Sequence, residues 1–156
     1  MLSVAAATLA NGGVCPIAGR EVLPTEVVKK TLAVMECAGI YDNAGVFTLE
    51  VGLPAKSDVS GAVMVVVLNL LGFATFSSRL DPYGNSLRGV EFCRQLVDCF
   101  TVHVYDSLSA GHTGCCRVTS GRPKAVASCG IFLICVGLCP MVIAMQSKWA
   151  ISCLPA

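Results

Sequence analysis

The ten residues Gly52-Leu53-Pro54-Ala55-Lys56-Ser57-Asp58-Val59-Ser60-Gly61 constrain this chain more than any other stretch. They join two apolar runs, Val46–Val51 and Ala62–Leu68, which are rich in Val, Phe, Thr and Met and bounded by Gly and Pro. That composition predicts a strand on either side of the junction. Val63–Leu68 is an almost unbroken apolar run, as expected of a strand covered on both faces. Lys56 and two small hydroxyls then sit where one strand gives way to the next. Such a junction can offer a cation, hydroxyls and backbone N–H groups to an anionic or carbonyl ligand. A polar turn with a solvated lysine is the competing reading.

The flanking sequence supplies the partners. Met1–Asn11 reads as the end of a helix stopped by Asn11-Gly12-Gly13. A domain seldom starts on the last turns of an apolar helix without a cap, so sequence is expected upstream. Val14–Leu23 is a connection. A second helix opens at Pro24 and Thr25, with Thr25 as the expected N-cap, and ends at Ala38-Gly39. Its Val28, Leu32 and Met35 recur at helical spacing and face the core. Ile40–Gly45 reads as a tight polar loop. Phe73–Ser77 is a third strand, with Asn69–Gly72 as a hairpin turn, and the short connections favour antiparallel pairing. After the Ser78–Gly84 loop, Asn85 or Ser86 caps a helix over about Leu87–Phe100, whose stripe is Val90, Cys93, Leu96 and Val97.

Charge excludes one function class. Eleven Lys and Arg against ten Asp and Glu leave the chain nearly neutral, without the clustered positive surface of a nucleic-acid binder. With 54% hydrophobic and 13% charged residues it is apolar for a soluble domain. The excess concentrates in Ala125–Ser147, which carries no charge and is long enough to be a transmembrane candidate. Of the ten cysteines, Cys15, Cys37, Cys93 and Cys99 read as free buried thiols. The other six crowd the tail without zinc-site spacing, so no metal site is expected.

The junction stretch resembles the signature of the serine-dependent glutaminase family. Three further family-like blocks lie around it in the same order: Thr8–Ile17, Gly39–Gly45 with its Gly-Ile-Tyr-Asp, and Leu80–Gly89. The resemblance runs from about Leu2 to Asp106. It divides the chain into residues 1–106, the C-terminal portion of a glutaminase catalytic domain, and residues 107–156, a divergent Cys-rich apolar tail that is non-native or membrane-associated.

The resemblance implies an α+β fold of the β-lactamase/transpeptidase type, present as a partial domain of antiparallel strands with flanking helices. It implies hydrolysis of L-glutamine to L-glutamate and ammonia through an acyl-serine, without metal or organic cofactor. Tyr41 would hold substrate and move protons, Lys56 and Ser57 would line the substrate, and the Val59 backbone amide would donate into the oxyanion hole. Relatives imply a homo-oligomer, or pairing with a full-length glutaminase, in the mitochondrion or cytoplasm. His103, Asp42, Asp81, Glu50, Asn85 and Arg88 read as structural or surface groups.

Some family features are missing. Relatives attack the amide with a serine activated by a lysine one helical turn on, and this sequence contains no Ser-x-x-Lys. The chain is therefore expected to be inactive alone. A non-catalytic partner of an intact glutaminase and a small membrane-anchored protein are the alternatives. Asp58 also departs from the family, which favours a small residue there. Its charge would repel a substrate carboxylate if it faced one. Leu68 and Ser78-Arg79 stand where prolines are usual, and Ala62 replaces a glycine.

Overall fold

A computed structural model describes residues 1–106 and 132–137. In chain order the elements are α1 (Leu2–Ala10), α2 (Thr25–Ala38), a 3-10 turn (Tyr41–Asn43), α3 (Ala44–Glu50), β1 (Ala55–Ser57), β2 (Ala62–Val67), β3 (Leu71–Phe76), α4 (Leu87–Cys99) and β4 (Phe132–Gly137). The four strands form one antiparallel sheet in the order β1-β2-β3-β4. The α+β class with antiparallel strands and flanking helices is the one expected.

Pleat alternation assigns the two faces of the sheet. Val63, Val65, Val67, Leu71 and Phe73 point to the side of α3 and α4, where they meet Phe47, Val90, Phe92, Cys93 and Leu96. Val66 and Met64 point the other way, to Ala6, Leu9 and Ala10 of α1 and Val28 and Met35 of α2. At Gly72 the α1 backbone comes so close that an added Cβ would lie 2.1 Å from Ala6 and Ala7 backbone atoms.

One predicted strand is a helix. Val46–Val51 belongs to α3 and its C-cap, and the expected loop over Ile40–Gly45 is the 3-10 turn that leads into it. β-Branched composition suggested a strand, but burial follows the helical period. Ala44, Phe47 and Val51 are buried while Val46 and Leu49 are exposed. Packing of that stripe against the sheet overrides a propensity difference of only a few tenths of a kcal/mol per residue.

The other differences are small. The hairpin turn is Leu68–Leu70, and β3 starts at Leu71. Asn69 takes φ 58° there, and its N–H donates to Ala10 O at the end of α1. Pro24, not Thr25, occupies the N-cap of α2. Ser86 caps α4 by accepting from the Gly89 N–H. Cys93 and Cys99 are buried, but Cys37 is exposed and Cys15 half-buried. Of the transmembrane candidate Ala125–Ser147, Phe132–Gly137 is strand β4, and the remainder lies outside the described residues. No described helix is long and apolar enough to cross a membrane.

Candidate active site

The site is assembled where α2 ends against β1. A Cβ at Gly39 would lie 1.7 Å from the Ala55 carbonyl oxygen, so only glycine allows the approach. The Ser57 N–H donates to Gly39 O at 2.9 Å and fastens the helix end to the strand. The next residues, Ile40 and Tyr41, are thereby held beside Lys56.

Tyr41 adopts φ 50°, in the left-handed region, and is 38% exposed. A bulky residue held there costs about 1–3 kcal/mol and persists only where its surroundings fix it. Two bonds to Ile40 O do so here: the Asn43 N–H at 3.2 Å and Asn85 Nδ2 at 3.4 Å. Lys56 Nζ stands 4.6 Å from the Tyr41 ring centroid and also donates to the Ser57 carbonyl. A cation over a phenol at an exposed site contributes about 0.5–1 kcal/mol. The cation and the phenol of the sequence reading are thus brought together.

Ser57 is separated from them. Its register partner is Val63, which points to the α4 side, so strand alternation sends the Ser57 hydroxyl away from Lys56. It is fully buried, and its Oγ finds no hydrogen-bond partner among the described residues.

The following turn organises Val59. The Asp58 N–H donates to Ala62 O at 2.9 Å, and the Gly61 N–H to Asp58 O at 2.9 Å. The Ser60 N–H donates to Asp58 Oδ1 at 2.7 Å. Val59 lies between them, 65% exposed, and its N–H has no acceptor among the described residues. The Ser60 hydroxyl and N–H, with the Lys56 charge behind them, hold the Asp58 carboxyl below the usual carboxylate range. Asp58, the departure from the family pattern, therefore spends its charge on the turn. Val59 faces the Asp81–Asn85 loop, where a Cβ at Gly84 would touch Val59 Cγ1.

Asn85 is the supporting residue that the sequence reading missed. It is fully buried rather than a solvated cap, and it links the Asp81 loop to Ile40. Its neighbour Ser86 took the cap instead, leaving Asn85 to brace the residue before Tyr41. His103 is structural: its ring packs against Gly52, and its Nδ1 accepts from the Tyr105 N–H. Glu50 pairs with Arg94 at the surface, and Asp81 closes its own loop by accepting from the Tyr83 and Asn85 N–H groups. His112 lies outside the described residues.

Comparison with known proteins gives this geometry a context. The Glutaminase family model matches residues 1–105. The mouse mitochondrial liver isoform of glutaminase is 55% identical over 106 residues, which are 68% of this chain and 18% of that protein. A glutaminase of Nostoc sp. is 45% identical over 111 residues, 71% of this chain and 33% of its own. The crystal structure of Mglu in its glutamate form superposes with a TM-score of 0.65 at 43% identity, covering 68% of this chain and 24% of that one. The chain thus spans a third or less of the length of these relatives. With two thirds of its length inside the family model, and with the junction, Tyr41 and Asp81-loop blocks all within the match, the chain belongs to the glutaminase family.

Proposed function

We propose that residues 1–106 form the C-terminal portion of a glutaminase catalytic domain and supply one wall of its site, and that residues 107–156 are a divergent tail whose β4 joins the same sheet. The reaction is hydrolysis of L-glutamine to L-glutamate and ammonia. A serine hydroxyl attacks the carboxamide carbon, ammonia leaves, and water cleaves the resulting acyl-serine. In this wall Tyr41 clamps the substrate and moves the proton. Lys56 attracts the substrate carboxylate. Ser57 supports the wall from behind through its N–H to Gly39 O. The Val59 N–H donates to the developing oxyanion, an interaction worth about 3 kcal/mol when well aimed.

The observation that carries this reading is the pairing of Tyr41 with Lys56 next to a turn whose one uncommitted N–H is that of Val59. A glutamate form of the related Mglu fits the same ligand chemistry. The chain lacks the Ser-x-x-Lys pair that would make the nucleophile, so it does not turn over alone. That absence also favours a second reading, a non-catalytic partner of an intact glutaminase subunit. By the same resemblance, we place the chain in the mitochondrion or the cytoplasm.

Ammonia release from glutamine tests the reading. The purified chain should be inactive alone and active when mixed with a family segment carrying Ser-x-x-Lys. Activity of the chain alone would overturn the incomplete-site account. No activity in a mixture that demonstrably associates would leave the partner reading.

A further inference from the structure

β3 is built as an interior strand. Leu71, Gly72, Phe73, Ala74 and Thr75 are all buried. The strand has no charge, no proline and no bulge, the features by which edge strands resist pairing with other chains. One of its edges pairs with β2, inside the matched region. The other pairs along its whole length with β4, in register from Leu71↔Gly137 to Phe76↔Phe132.

β4 lies outside residues 1–105, the part that matches the family. An edge belonging to the glutaminase part of the chain is therefore closed by sequence outside the match to the family model. Phe-Leu-Ile-Cys-Val-Gly suits that place: it is apolar and uncharged, rich in residues that favour strands, and equal in length to β3.

We propose that Phe132–Gly137 is a built-in complementing strand. It occupies the open edge of β3 and so blocks that edge against an extended apolar strand from a second copy of this chain. Main-chain hydrogen bonding supplies the attraction in such strand addition, and alternate side-chain sites supply the selectivity. The inference concerns assembly and does not depend on glutamine chemistry.

Hydrogen exchange on the intact chain tests it. With a strand on both sides, consecutive amides of Leu71–Phe76 are protected. With β2 alone, every second one exchanges freely. The double substitution Leu133→Pro with Ile134→Pro removes whichever of the two N–H groups faces β3. In the dilute, monomeric variant every second β3 amide should lose protection, and at higher concentration the chain should self-associate on size exclusion. A lysine-flanked Phe-Leu-Ile-Cys-Val-Gly peptide should bind the variant, restore protection and return it to monomer, while leaving the unsubstituted chain untouched. If the variant unfolds altogether, rescue of both β2 and β3 protection by the peptide is the expected result. The proposal is overturned by alternate-only protection in the unsubstituted chain. It is equally overturned by full β3 protection in the monomeric variant, or by a variant that the peptide cannot rescue.

Discussion

On its α4 side the sheet is held by large side chains, and on its α1 side by close backbones. Phe73 and Phe92 meet edge to face at 5.7 Å on the first side, within a cluster that includes Phe47, Val63, Val65 and Leu96. The second side relies on Ala6, Ala10, Val66 and the contact of α1 with Gly72. One side gains most from burying apolar area. The other gains from approach distances that leave no room for an added methyl. The two sides should therefore fail in opposite ways, one to cavities and the other to crowding.

The largest expected effect is on the α4 side. Phe73→Ala removes a 1%-exposed ring from between the strands and α4, and should cost about 3–5 kcal/mol of unfolding free energy in urea. A loss under about 1 kcal/mol would show that the cluster collapses without strain. The opposite change tests the α1 side: Gly72→Ala should cost about 1–3 kcal/mol because α1 must move away, although it adds apolar surface. A neutral or stabilising result would mean that the close approach is not obligatory.

A smaller effect separates the thiols. Burial pushes the Cys93 thiol up to about 12 from 9.0, so the folded chain holds that proton more tightly than the unfolded one. The resulting stability is complete below pH 9.0 and is lost as pH rises towards 12. Iodoacetamide at pH 8 should label Cys37 in the folded chain and Cys93 only after unfolding. Equal labelling would contradict the packing described.

Most of the fold was legible because period and punctuation agreed. The α4 stripe of Val90, Cys93 and Leu96, its Ser86 cap, and the apolar run of β2 needed no tertiary information. Val46–Val51 was misread because Val, Phe and Thr favour strands only when the pleat is there to receive them. Here Phe47 and Val51 share one helical face, and the sheet buries that face. The junction motif and the blocks around it single out Tyr41, Lys56 and Val59 as the proposed site residues. That Ser57 turns to the other side of the sheet follows from alternation along β1, once the strand is placed. Asn85 was not legible, because its partner Ile40 lies 45 residues away in sequence. β4 was not legible either. Its apolar run is as compatible with a membrane helix as with a strand until its pairing with β3 is known.

The central claim is that the turn after β1 presents the Val59 N–H to a reacting glutamine. The most direct test is glutamine hydrolysis by the chain complemented with a Ser-x-x-Lys segment of the family, comparing Val59→Ala with Val59→Pro. Alanine keeps the donor and proline removes it. The account predicts near-full activity for Val59→Ala and a loss of about 100- to 1,000-fold in kcat for Val59→Pro. Equal activity of the two variants would contradict it.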